Sequence, residues 1–168
     1  MVLADTNILS TFAKIHHLPL LLQLFVNEHV GVVPAVYAEF QGGVDRGYAD
    51  LQAVIELVKQ GHIELVVPTA REIFDKDSMP DSFDAGERET LVVARAHKYT
   101  VLTHETHVKN WCKCEQIAYL DLPGILRALW KTNLVSQELV QALIDEIERK
   151  DRLRFKNRAE IFRDSKAS

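Results

Sequence analysis

Val2-Leu3-Ala4-Asp5-Thr6-Asn7-Ile8-Leu9-Ser10 opens the chain, and its reading decides the fold. Three apolar residues of strand type stop at an acid and two small polar residues, and a helical pattern then runs from Ile8 to Ile15. The same alternation recurs outward from there. Leu18 to Glu28 reads as a second helix. Val30 to Val33 is β-branched and bounded by Pro34, which predicts a strand and then a helix from Pro34 to Phe40 that Gln41-Gly42-Gly43 ends. From Tyr48 to Lys59, Leu51, Val54, Ile55 and Val58 share one helical face, and Gly61 closes that helix. Ile63 to Val67, Tyr99 to Leu102 and Gln116 to Tyr119 read as further strands. Helices are expected from Pro68 to Asp77, from Ala85 to His97, near Val108, from Leu122 to Trp130 and from Ser136 to Arg149, with a loop from Ser78 to Phe83.

Short apolar strands separated by helical patterns predict an α/β fold: a parallel sheet sandwiched between helices in a Rossmann-like, three-layer arrangement. At 168 residues the chain is one domain's worth. We expect a single domain over 1–150, C-terminal helices included, and a basic tail over 151–168, extended or helical. Between Arg149 and Lys166 stand eight basic residues against three acids, which suits either a solvated terminus or an arm that contacts phosphates.

The composition excludes several classes. At 47% hydrophobic and 26% charged residues it is that of a globular protein, neither disordered nor collagen-like. The apolar run from Leu18 to Val26 is too short to span a bilayer. The N-terminus carries an acid at position 5 and no basic region, so no signal peptide is read there and a cytoplasmic chain is expected. Cys112 and Cys114 lack the second pair of a structural zinc site and read as two reduced thiols. A net charge of −4 argues against a generic nucleic-acid coat but not against an enzyme that holds metal with acids.

In open parallel sheets the ligand sits beyond the carboxyl ends of the strands. Asp5 follows the first strand, and Glu39 lies in the helix after the second. Asp84 and Glu87 open the helix before the next strand, and Glu105 follows that strand after Thr103 and His104. Each acid alone has a purely structural reading: Asp5 as a helix N-cap, Asp84-Ala85-Gly86-Glu87 as a capping box, Glu39 as a surface acid, Glu105 as an early-turn acid. Together they form a cluster of carboxylates, which repel one another and commonly hold a divalent cation. Oxygen ligands without Cys or His favour Mg²⁺ or Mn²⁺, ions that hold a phosphate and acidify a water.

The same residues resemble a family. Val2 to Ser10 is similar to the opening motif of PIN-domain nucleases. Val33-Pro34-Ala35-Val36-Tyr37-Ala38-Glu39-Phe40 resembles their second motif. Asp84-Ala85-Gly86-Glu87 with Leu91-Val92-Val93-Ala94 resembles the third, and Val101-Leu102-Thr103-His104-Glu105 the fourth. The motifs stand in the family's order over residues 1 to about 130, and the helical end from Gly124 to Ile147 resembles one branch of it. The resemblance implies a PIN-like sheet sandwiched by helices, a Mg²⁺ or Mn²⁺ site and cleavage of single-stranded RNA. Many members are toxins paired with an antitoxin protein, and many form homodimers. Carried over by position, the catalytic acids are Asp5, Glu39, Glu87 and Glu105, with Asp5, Glu87 and Glu105 on the metal. Asn7, Ser10, Asp84 and Thr103 match supporting positions.

One departure stands in the fourth motif, which in the family ends in Asp and here reads His104-Glu105. Glu is one methylene longer than Asp, and His104 removes a negative charge. The alternative function is therefore a weak or inactive PIN-like module that binds nucleic acid or protein; a phosphatase-like metal hydrolase is a more distant one. His104 and His107 read as two exposed histidines rather than a transition-metal site. Lys109 and Lys113, four apart, share a helix face and are the expected phosphate contacts beside the acids.

Overall fold

The computed structural model describes residues 1–77, 79–151 and 153–163. Of the segments singled out from sequence, Ser78 in the loop and Arg152 and Lys166 in the basic tail lie outside them.

Among the described residues five parallel strands form one sheet in the order β3-β2-β1-β4-β5. The strands are β1 (Val2–Ala4), β2 (Val30–Val32), β3 (Glu64–Leu65), β4 (Thr100–Leu102) and β5 (Tyr119–Leu120). β1 is central, with Val2 opposite Val30 on one side and Val2, Leu3 and Ala4 opposite Thr100, Val101 and Leu102 on the other. Parallel pairing requires a crossover between strands, and the chain supplies helices for each. The predicted α/β sandwich is thus the observed architecture, and its strand order reverses between β1 and β4.

After β1 come α1 (Thr6–Lys14) and α2 (Leu18–Leu24), and after β2 come α3 (Pro34–Asp45) and α4 (Gln52–Lys59), the latter entered through a 3₁₀ turn at Ala49–Leu51. α5 (Ala70–Asp77) and α6 (Ala85–His97) lie between β3 and β4, and α7 (Thr106–Cys114) between β4 and β5. α8 (Leu122–Lys131), α9 (Gln137–Lys150) and the short α10 (Arg158–Ile161) complete the chain. The central strands are buried on both faces, as β1 and β2 show throughout. Phe12, Phe40, Leu91, Ile125 and Ile144, from five helices, are likewise shut from solvent.

α3 differs from the expectation. It does not stop at Gln41-Gly42-Gly43 but continues to Asp45. Gly43 is a contact residue there: a Cβ on it would stand 2.5 Å from Leu51 Cδ1. The glycine lets the 3₁₀ turn pack against the helix, and the helix ends where Arg46 and then Gly47, at φ +93°, turn the chain.

The described residues beyond Asp151 fold back on the domain. Trp130 Nε1 on α8 donates to Ile161 O at 2.9 Å, and Ile161 is buried. Arg158 bridges Asp145 and Glu148 on α9 at 2.6 and 2.7 Å.

Candidate functional site

The crossover from β1 to β4 brings two strand ends together. The Asp5 N–H donates to Leu102 O at 3.0 Å, continuing the ladder one residue past Ala4. That register sets Asp5 beside Thr103. Asp5 is also the N-cap of α1, its Oδ1 accepting from Ile8 N at 2.8 Å. Both readings of Asp5 therefore hold at once, because a cap needs only one carboxylate oxygen. Its other oxygen, Oδ2, is buried and, among the described residues, has no hydrogen-bond partner. Burial pushes the carboxyl up to about 6, against the pull of the Thr103 hydroxyl and the Ile8 amide, and Glu105 and Glu87 push the same way as burial.

A cleft of about 110 Å³ opens on this carboxyl, lined by Asp5, Thr6, Asn7, Val36, Glu39, Asp84, Gly86 and Glu87. Asp84 and Glu87 form the expected capping box of α6: Glu87 N donates to Asp84 at 2.8 Å, and Asp84 N donates to Glu87 at 3.0 Å. The box fixes both acids at the cleft mouth. Glu39 reaches it from α3 because residue 86 is glycine. A Cβ at Gly86 would lie 2.6 Å from Glu39 Oε1. Thr6 donates a short hydrogen bond to the other Glu39 oxygen. Burial raises the Glu39 pKa, the Thr6 hydroxyl opposes this, and Asp84 and Glu87 add to the rise.

Glu105 stands at the N-terminus of α7, outside the cleft lining but tied to it. Asn7 Nδ2 donates to Glu105 Oε1 at 2.7 Å, and Glu105 N donates to the Thr103 hydroxyl at 3.1 Å. Asn7 and Thr103 thus support the acids directly. Ser10 lies one turn further along α1, in an adjoining pocket that shares Thr6 and Glu39 with the cleft.

Two neighbours of the acids have no role at the site in the sequence reading. Thr6 orients Glu39, and the only signal for it is its position inside the small polar pair after Asp5. His107 Nε2 meets Glu87 Oε1 at 2.8 Å and its Nδ1 lies 4.0 Å from Glu105. The Glu87 carboxylate, first among its neighbours, raises the His107 pKa. His107 is exposed, as expected; His104 is not, and its Nδ1 is buried. The two make different contacts and do not form a common site.

The donor set fits a hard divalent cation: carboxylate oxygens only, several mutually repelling, one of them buried and unpartnered. As placed, among the described residues no three His, Cys, Asp or Glu side chains close round one point. Each acid other than Asp5 is instead held by a neighbour: Glu39 by Thr6, Glu87 by His107 and Asp84, Glu105 by Asn7. Lys109 is paired with Asp121 at 3.3 Å, while Lys113 is exposed, its ammonium 6.0 Å from the Tyr119 ring centre.

A family model described as a PIN domain matches residues 1–162. The chain belongs to the PIN-domain family. No curated protein and no solved structure matches it. The PIN domain is a nuclease-type fold, its members typically use divalent metals, and it implies a nucleic-acid substrate. The matched span takes in α10 as well as the sheet, so the PIN domain here includes the folded-back C-terminal segment. Among the described residues no helix is long and apolar enough to cross a membrane.

Proposed function

We propose that this PIN domain is a Mg²⁺- or Mn²⁺-dependent endoribonuclease that cuts single-stranded RNA, acting as the toxin of a toxin–antitoxin pair. The observation that carries the reading is Asp5: a buried carboxyl with one oxygen unpartnered, facing a cleft lined by three further acids. A buried carboxylate without a counter-charge is costly, and a cation supplies that charge. Asp5, Glu87 and Glu105 would hold the ion, with Glu39 beside them. A divalent cation there supplies charge compensation for a phosphodiester and acidity to a water.

The chain's own residues do the rest. Asn7 and Thr103 aim Glu105, Thr6 aims Glu39, and the capping box with Asp84 fixes Glu87. Gly86 keeps the cleft floor open. Ser10 extends the polar wall toward the next pocket. Lys109 and Lys113 on α7 supply phosphate attraction beside the acids. An antitoxin protein and a second copy of the chain are the partners this role calls for.

The test is cleavage of a labelled single-stranded RNA with Mn²⁺, with Mg²⁺ and with a chelator. Cutting that requires the ion and disappears in Asp5→Asn supports the reading. RNA left intact by a folded chain that nevertheless binds it favours the alternative, a non-catalytic binding module. The ground for that alternative is the scatter of the acids, each turned to its own partner, at a site whose fourth motif ends in His104-Glu105.

A further inference from the structure

The basic C-terminal segment and the displaced histidine of the fourth motif meet in one pocket. It has a volume of about 320 Å³ and is lined by His104, Pro123, Arg127, Arg154, Phe155, Lys156, Asn157, Glu160 and Ile161. Among the described residues, two in this lining carry buried nitrogens without partners, His104 Nδ1 and Arg127 Nε. Buried polar groups are nearly always satisfied, so two orphans in the walls of one pocket point to a missing partner. The charges agree on its sign. Arg127, Arg154 and Lys156 are positive, and Glu160 is the one acid in the lining. Arg127 donates through its terminal nitrogen to Glu160 O, and Arg154 pairs with Glu148. Lys156 is exposed and, among the described residues, has no hydrogen bond or ion pair.

We propose that this pocket binds a phosphate group, and that the group belongs to the RNA strand, one or more nucleotides away from the bond held at the acid cleft. Phosphate presents several acceptor oxygens to which the Arg127 Nε–H, a His104 N–H and the Lys156 ammonium can donate together. Its place fits the strand. His104, in the pocket wall, immediately precedes Glu105, which Asn7 ties to the cleft, so pocket and acid site meet in consecutive residues after β4. The acid cleft repels phosphate, and this pocket attracts it. The strand assignment rests on the nuclease reading; the pocket itself does not.

The experiment uses the full chain in chelator, so that RNA is bound without being cut. Inorganic phosphate is titrated while the Arg127 Nε–H and His104 ring signals are followed by nuclear magnetic resonance. Binding of a short labelled single-stranded oligoribonucleotide is measured over a range of salt. The variants are Lys156→Glu, which alters an exposed side chain of the pocket lining, and Lys98→Glu, the same charge change at the other end of β4. The expected result is that phosphate moves both signals in the parent chain and not in Lys156→Glu. That variant should bind RNA roughly fivefold or more weakly, with a salt slope shallower by roughly 0.7, while Lys98→Glu matches the parent. Phosphate shifts with RNA binding unchanged in Lys156→Glu would overturn the strand assignment and leave a site for a free phosphate group. Phosphate shifts in a chain that binds no RNA at all would overturn the strand assignment, while the nuclease reading stands or falls on the cleavage assay with Mn²⁺. Signals that never move, with Lys156→Glu binding RNA like the parent, would overturn the pocket and leave the nuclease reading untouched.

Discussion

Asp5 must be charged to hold a cation, yet its surroundings oppose charge. Burial sets its carboxyl at about 6, against 3.8 in an unfolded chain. Between those values the folded chain binds the extra proton, so stability falls as pH rises through the window, and the full cost is present above it. Asp5→Asn abolishes the charge and keeps an N-cap for α1. It should stabilise the metal-free protein by about 1–3 kcal/mol near neutral pH, a gain that vanishes below about pH 4. Urea unfolding at the two pH values checks this. RNA cleavage should fall at least about a hundredfold in the same variant. An Asn variant with full activity, or one less stable at neutral pH, contradicts the assignment. Asp5 was legible in the sequence because one residue ends a strand, caps a helix and begins a motif. Thr6 and His107 were not, since their partners are 33 and 20 residues away and no spacing rule reaches them.

At the scale of elements, glycines decide how close the helices come. Gly86 in α6 admits Glu39 of α3, and Gly43 in α3 admits Leu51. Gly86→Ala puts a methyl group 2.6 Å from Glu39 Oε1 and 3.0 Å from Val36. Cleavage should drop at least about tenfold while unfolding free energy changes by no more than about 1 kcal/mol, because helix propensity offsets the crowding. Activity and denaturation measured on one preparation separate the two. Gly43→Ala should lose about 1 kcal/mol through its clash with the buried Leu51. Gly42→Ala, whose nearest new neighbour is Arg46 at 3.5 Å, should gain about 0.5–1 kcal/mol. Equal effects at the two positions would show that α3 is not held by that contact. Here the sequence misled for a physical reason. A Gly-Gly pair ordinarily ends a helix, and only the position of Leu51, after the next turn, explains why this one continues. The capped and strongly patterned elements were read closely: α6 spans Ala85–His97 as expected, with Asp84 and Lys98 at its ends.

Over the whole molecule, the C-terminal segment is held by charge as well as by Ile161. Arg158 first, then the Phe155 N–H and Arg154, hold the Glu148 carboxyl down at about 2, well below its ordinary 4.5. A depressed carboxyl contributes stability that is complete above 4.5 and lost as pH falls toward 2. Acid should therefore release α10 from α8 and α9 over that range. The readouts are amide exchange at Ile161 and fluorescence of Trp130, whose indole holds the Ile161 carbonyl. Glu148→Gln, which mimics the protonated carboxyl, should leave the segment loosened already at neutral pH; a segment that stays protected throughout would mean that apolar packing alone retains it. The parallel sheet between helices could be read from alternating strand and helix patterns. This docking could not, because eight basic residues near a terminus look alike whether they face solvent or a distant helix.

The central place of β1 also has a consequence in time. β1 leaves the ribosome first, but one of its two neighbours, β4, follows about a hundred residues later. At roughly 5–20 residues per second that is a wait of about 5–20 s. Until then Asp5 has no Thr103 beside it, and Glu105 does not yet exist. On the proposed reading, a cutting site divided among four distant segments would be silent in every shorter nascent chain, so the ribosome making this protein would not be exposed to cleavage before β4 is complete.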